Sequence, residues 1–271
     1  MDPNHEFSVS VQENVQGLAQ DRDLRNLSGI WLRDTLKHKY SYNFSWLGRP
    51  IIQYPQDIVA MQEIIWSVRP DLIIETGIAH GGSLIFSASM LALLDYCEAQ
   101  ETGKMLDSGY PRRRVLGIDI DIRPHNRAAI EVHPMGNRID MIEGSSVAAD
   151  IVTRVRERAR DNERVLVLLD SNHTHKHVLL ELEAYAPLTS MGSYCVVFDT
   201  IIEDFPDGTF PDRPWGKGDN PKTAVREYLH RLRVEGRSAA DGAPLHLEID
   251  TSIENKLLIT VARDGYLKRV A

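Results

Sequence analysis

The stretch Leu72-Ile73-Ile74-Glu75-Thr76-Gly77-Ile78-Ala79-His80-Gly81-Gly82-Ser83 reads as a buried strand, a glycine-rich turn and the start of a helix. Its apolar run is short and holds β-branched residues, and Leu84, Ser87, Met90, Leu91 and Leu94 follow at helical spacing. A strand that feeds a helix in this way is the first half of a βαβ unit, so the reading predicts a parallel sheet. Glycines let the backbone turn sharply and approach a ligand, and the helix amino terminus offers N–H groups to an anion. The turn lacks both the Gly-x-Gly-x-x-Gly of a dinucleotide site and the Gly-Lys-Ser/Thr of a phosphate-binding loop. The ligand expected there carries a carboxylate rather than a pyrophosphate.

Working outward, apolar runs recur at 115–118, 138–142, 165–169 and 194–198, separated by helical patterns. One pattern is expected to start at an Asp57 cap and stop before Pro70. Another covers 146–160 with Ser146 as its cap, and a third opens at Thr174 with Val178, Leu179, Leu182 and Tyr185 facing inward. Residues 203–221 are too rich in proline and glycine for regular structure and are expected to form a lid or binding loop. A helix near 222–234 follows. Two strand-like runs, 245–249 and 256–262, then suggest an antiparallel hairpin. The expectation is an α/β fold in two parts: a mainly helical extension over 1–50 and a single domain over 51–271.

Bulk composition narrows the function classes. The chain has 271 residues, 42% hydrophobic and 26% charged, with a net charge of −8. An acidic average field repels phosphodiester backbones, so no nucleic-acid partner is expected. No apolar run approaches the roughly 18 residues that span a bilayer, and the first residues lack the pattern of a signal peptide. The two cysteines, Cys97 and Cys195, lack metal-ligand spacing and fit a reducing cytoplasm.

Acidic residues close most of the apolar runs: Glu75, Asp119, Asp170 and Asp199. In an open parallel sheet the carboxyl ends of the strands border the ligand, so these acids are candidate site residues. Asp119 at its strand end can accept both hydroxyls of a ribose. Ser146, after the third strand, either lines a ligand pocket or only caps the next helix. Asp170 and Asp199 are expected side by side on adjacent strands, where two carboxylates repel unless a cation or proton lies between them. A hard, oxygen-liganded ion such as Mg²⁺ fits that pair. His173, His175 and His177 alternate, and on a helix residues two apart point about 200° away from each other, which argues against a shared metal. His173 lies where the chain turns over the sheet edge, and it is the candidate base for a hydroxyl proton.

Taken together, Glu-Thr-Gly-x-x-x-Gly-Gly-Ser from Glu75, Gly-Ile-Asp-Ile-Asp-Ile-Arg-Pro-His-Asn-Arg at 117–127 and Asp-Ser-Asn-His-Thr-His at 170–175 resemble the cephalosporin hydroxylase-like family, which includes rhamnosyl O-methyltransferases. The resemblance extends to the Trp-Leu-Gly-Arg-Pro segment from Trp46, the loop around Trp215 and the closing segment at 265–269. It implies a Rossmann-like, seven-stranded class I methyltransferase sheet, mostly parallel with an antiparallel C-terminal hairpin and helices on both faces. It also implies S-adenosylmethionine (SAM) against Glu75, Gly77, Gly82, Ser83, Asp119 and Ser146, with Ser83 near the methionine carboxylate and Asp119 on the ribose. A further similarity, to metal-dependent methyltransferases of the catechol type, implies Mg²⁺ on Asp170 and Asp199 and proton removal by His173. Those enzymes carry lysine and asparagine where this chain has His173 and Thr200.

The implied activity is Mg²⁺-assisted methyl transfer to a hydroxyl of a small molecule, a deoxysugar glycoside above all. The competing reading is a non-catalytic SAM-binding subunit of a tailoring hydroxylase. The intact set of Asp170, His173 and Asp199 argues against it, because a structural subunit has no need of a base beside a metal pair. A helical extension of this length is also a weak pointer to a homo-oligomer.

Overall fold

The structure, a computed structural model, describes residues 3–270. Two helices, α1 (Pro3–Gln20) and α2 (Arg22–Leu36), lead into an antiparallel ribbon of β1 (Phe44–Trp46) and β2 (Arg49–Ile51). The main body then runs α3 (Pro55–Val68), β3 (Leu72–Thr76), α4 (Gly82–Thr102), β4 (Arg114–Asp119), α5 (Pro124–Glu131), β5 (Ile139–Glu143), α6 (Ala149–Ala159), β6 (Val165–Leu169), α7 (His175–Tyr185), β7 (Tyr194–Val197), α8 (Pro221–Glu235), β8 (Leu247–Ile249), α9 (Thr251–Leu257) and β9 (Tyr266–Arg269).

One seven-stranded sheet has the order β5-β4-β3-β6-β7-β9-β8. Strands β5 to β7 are parallel, and β9 runs antiparallel to both β7 and β8. Every residue of β3 and of β6 is buried, as a strand covered by helices on both faces demands. Successive side chains part to opposite faces: Ile73 joins Ile65, Leu84, Leu91 and Ile130 on the α3, α4 and α5 side, while Ile74 joins Val155, Val178, Leu182 and Tyr228 on the α6, α7 and α8 side. Each such aliphatic side chain removed from water contributes about 1.5–3 kcal/mol.

The sheet grows outward from its middle in two directions, β3 to β4 to β5 one way and β6 to β7 the other. That reversal opens a crevice at the carboxyl ends of β3 and β6, where open α/β sheets bind ligands. The expected helices on both faces and the largely parallel sheet are present.

Several local expectations are corrected. The closing antiparallel pair is β8 with β9, registered Leu247↔Arg269 to Ile249↔Leu267, and residues 256–262 are the end of α9 and a loop. Asp57 is no cap: Tyr54 holds the cap position with Pro55 starting the helix, and the fully buried Asp57 accepts hydrogen bonds from Thr260 Oγ1 (2.5 Å), Val261 N (3.0 Å) and Tyr266 OH (2.8 Å). Ser146 does not cap α6, which starts after Ala148 with no side-chain cap. The short helices α5 and α9 carry too few turns to show a periodicity.

Candidate active site

A cavity of about 810 Å³ opens at the crevice. Its floor is the Gly77–Ser83 turn, one side is Asp170, Ser171, His173 and Asp199, and the opposite walls come from α2 and the segment after it and from the 205–215 loop.

Close packing shapes the glycine turn. Gly77 has φ +90°, and a Cβ there would collide with the carbonyl of Asp170, so the ends of β3 and β6 meet only because this residue has no side chain. A Cβ at Gly82 would run into the carbonyl of Pro50, so the β1–β2 ribbon lies directly on the first turn of α4. Asp119 Oδ2 accepts from Ile78 N (2.8 Å) and Ala79 N (3.3 Å). Arg49 donates through Nε and Nη2 to the carbonyl of His80 (3.1 and 2.6 Å) and through Nη2 to Asn126 Oδ1 (3.1 Å). Asn126 Nδ2 donates to the carbonyl of Ala79 (2.9 Å). The Trp-Leu-Gly-Arg-Pro and Arg-Pro-His-Asn segments therefore hold two successive carbonyls of the turn, those of His80 and Ala79, and are tied to each other. The first-turn N–H groups of α4 have no partner within the helix and are left for an anionic ligand.

Asp170 and Asp199 stand at the ends of the adjacent parallel strands β6 and β7, whose last registered pair is Leu169↔Val197. Asp199 is in the left-handed conformation, φ 57°. Asn172 Oδ1 accepts from Thr174 N (2.9 Å) and Thr174 Oγ1 (2.8 Å), a tight local turn that projects His173 over the sheet edge. His173 Nε2 lies 3.2 Å from Asp199 Oδ2, and its ring stands perpendicular to that of Trp215 in a T-shaped contact at a centroid distance of 4.8 Å. Ligand atoms of Asp170, His173 and Asp199 all fall within 4.8 Å of one another.

Burial, then the nearby charge of Asp199, then Glu75, Glu181 and Asp57, push the Asp170 carboxyl well above the usual range. Two carboxylates crowded in this way form a donor set that a hard cation would relieve, and oxygen atoms with one imidazole suit Mg²⁺ or a similar ion. The residues present thus fit a divalent cation.

The sequence-derived candidates divide into two groups. Gly77, Gly82, Ser83, Asp170, His173 and Asp199 border the cavity. Glu75, Asp119 and Ser146 do not. Glu75 lies behind it, facing a void of about 20 Å³ shared with Gln53, Asp57 and Asp170. Burial pushes its carboxyl up to about 7 against the opposing hydrogen bond from Ser83, and one of its oxygens has no partner. Because the Ser83 hydroxyl donates to Glu75, only the Ser83 backbone N–H is free to face an anion. Asp119 is half-buried beside the turn, and Ser146 Oγ meets His177 Nε2 (3.0 Å).

The three alternating histidines separate. His173 faces Asp199, His175 bonds Thr223 and Glu227, and His177 bonds Ser146 and sits beside Glu181. Sequence reasoning missed Gln53, whose Nε2 donates to Asp170 Oδ2 at 3.2 Å; a lone glutamine before a helix carries no motif.

A family model described as Rhamnosyl O-methyltransferase/CmcI matches residues 38–270. A rhamnosyl O-methyltransferase of Mycobacterium leprae (strain TN) is 29% identical over 239 residues, covering 86% of this chain and 88% of that protein. A second, from Mycobacterium tuberculosis (strain ATCC 25618 / H37Rv), is 27% identical over 242 residues, covering 86% and 83%. Among solved structures, an apo-structure of CmcI superposes with a TM-score of 0.52 at 19% identity, covering 85% of this chain and 77% of that one. A CmcI structure described as Mg-SAM gives 0.52 at 18%, covering 85% and 78%. The shared fold is that of class I methyltransferases.

Proposed function

Because the chain belongs to the Rhamnosyl O-methyltransferase/CmcI family, we propose that it is a SAM-dependent, Mg²⁺-assisted O-methyltransferase acting on a hydroxyl of a deoxysugar, such as a rhamnosyl group in a glycoside. The observation that carries the reading is the convergence of Asp170, His173 and Asp199 beside a glycine turn at the switch point of the sheet.

Asp170 and Asp199 would hold the cation, with Gln53 fixing the Asp170 carboxylate through its amide. When bound, the cation supplies positive charge that favours an ionised hydroxyl, and SAM supplies the methyl group. The His173 imidazole, oriented by Asp199, accepts the hydroxyl proton; the oxygen forms its bond to the methyl carbon as the carbon–sulfur bond breaks and its electron pair stays on sulfur. Trp215 holds the imidazole in a T-shaped contact, and the 203–221 loop that carries it limits water beside the reacting atoms. The first-turn N–H groups of α4 would bind the methionine carboxylate, while Asp119, outside the cavity lining, holds the Ile78 and Ala79 peptides of the turn in place. Holding oxygen and methyl at near-attack distance is the larger part of the acceleration.

In this reading residues 51–271 are the catalytic domain and the 1–50 extension closes one wall of its cavity. Its two cysteines are free, which suits a reducing cytoplasm.

The test is calorimetric titration of SAM with and without Mg²⁺, followed by a mass-detected screen of deoxysugar glycosides. SAM should bind in both conditions, and only the Mg²⁺-containing protein should add one methyl group. Absence of SAM binding would sink the reading.

A further inference from the structure

The chain carries 39 acidic against 31 basic side chains, yet the acceptor half of its cavity inverts that balance. Apart from Asp170 and Asp199, every aspartate, glutamate, lysine or arginine on the cavity wall is basic: Arg33, Lys37, Lys39 and Arg213. Lys37, Lys39 and Arg213 form no ion pair among the described residues, and Arg33 pairs only with the exposed Asp34 next to it (3.2 Å). The carbonyl end of α2 also faces this side, but its partial charge of about −0.5 is outnumbered by the side chains around it. The cofactor needs none of these cations, because its carboxylate has the amino terminus of α4.

Placement says what the cations face. The guanidinium of Arg213 lies 5.2 Å from the centre of the Trp215 ring, and Trp215 in turn touches His173. One aromatic ring thus touches both a cation and the candidate base. A sugar lying along Trp215 with a hydroxyl at His173 would turn its anomeric substituent toward Arg213, in the cavity that Lys37 and Lys39 also line. Arginine and lysine around a small volume recognise phosphate oxygens through charge-assisted hydrogen bonds.

We propose that the acceptor sugar is presented as a glycosyl diphosphate, with the diphosphate seated between Arg213 on the loop and Arg33, Lys37 and Lys39 on the α2 side. The inference rests on the sugar O-methyltransferase reading and names its substrate class. The diphosphate can be carried by a nucleoside or by a polyprenyl chain, and the experiment separates the two. Methyl transfer would then precede the glycosyl-transfer reaction that consumes such a donor.

The test compares one 6-deoxyhexose as its uridine diphosphate conjugate, as a short-chain polyprenyl diphosphate and as the neutral methyl glycoside. One of the two diphosphates should exceed the neutral glycoside in kcat/KM by about tenfold or more, and the better of the two assigns the carrier. Arg213→Gln and the double variant Lys37→Gln/Lys39→Gln should narrow that ratio by about tenfold, through KM. Independently of turnover, inorganic pyrophosphate titrated without divalent cation into protein saturated with S-adenosylhomocysteine should bind, and the double variant or added salt should weaken it. Equal use of neutral and charged acceptors, absence of pyrophosphate binding, or variants that weaken S-adenosylhomocysteine to the same extent would each overturn the inference. Transfer to the neutral glycoside alone leaves the methyltransferase reading standing without the diphosphate; transfer to none of the three, with the cofactor bound, removes that reading and the inference with it.

Discussion

Asp57 is fully buried among Thr260, Val261 and Tyr266, and burial pushes its carboxyl up to about 6 despite those hydrogen bonds. The folded chain therefore holds this proton more tightly than the unfolded chain, whose aspartates titrate near the ordinary value. Stability from the neutral form is complete below the unfolded pKa and is lost as pH rises through the folded one. Over that window of about two units the loss amounts to about 3 kcal/mol. Relative to Asp57→Asn, the wild type should lose that stability between pH 4 and pH 7 in urea unfolding; parallel profiles for the two proteins would contradict this.

The same scale holds the chemistry. His173→Gln should lower kcat by about 10²–10⁴-fold, the range of a general base, with SAM affinity measured by calorimetry unchanged. Trp215→Ala removes the edge contact on His173 and should lower kcat with the cofactor affinity again unmoved.

At the scale of elements, the glycine turn is where three pieces of backbone meet: the end of β3, the end of β6 and the β1–β2 ribbon. Gly82→Ala forces a Cβ into the Pro50 carbonyl and should destabilise the fold by about 1–3 kcal/mol in chemical denaturation. Gly77→Ala combines a backbone collision with φ +90° and should cost more than Gly82→Ala. The buried strands and the long helices were legible in sequence because their apolar periods are strong, and the strand-end acids were legible because the sheet order converts a strand end into a place. The final strand was misplaced. Residues 256–262 offer Leu257, Leu258, Ile259 and Val261, a β-like run, but Asp250 caps α9 through Ser252 N and the strand forms only after the turn that ends at Gly265. Asp57 looked like a cap from its position before an apolar helix, and only tertiary packing from the C-terminal segment shows otherwise.

Across the whole molecule, the switch point of the sheet brings together residues far apart in sequence: Gln53, Gly77, Asp170, His173 and Asp199 around one cavity. The acid pair was readable from strand ends, whereas the wall built by Arg33, Lys37 and Lys39 was not, because nothing in a helical extension states which way it folds back. The place of Trp215 is likewise set only by the fold, which brings the loop against His173. Among the described residues no helix is long and apolar enough to cross a membrane. The central claim, that Asp170 and Asp199 hold a cation that makes this fold a methyltransferase, is tested most directly by methyl-labelled SAM. With a deoxysugar acceptor and Mg²⁺, label should move to the sugar. It should stay on SAM in excess chelator and in Asp199→Asn, and Mg²⁺ should restore transfer to the chelated wild type alone. Undiminished labelling under chelation, or a wild-type rate in Asp199→Asn, would contradict the account.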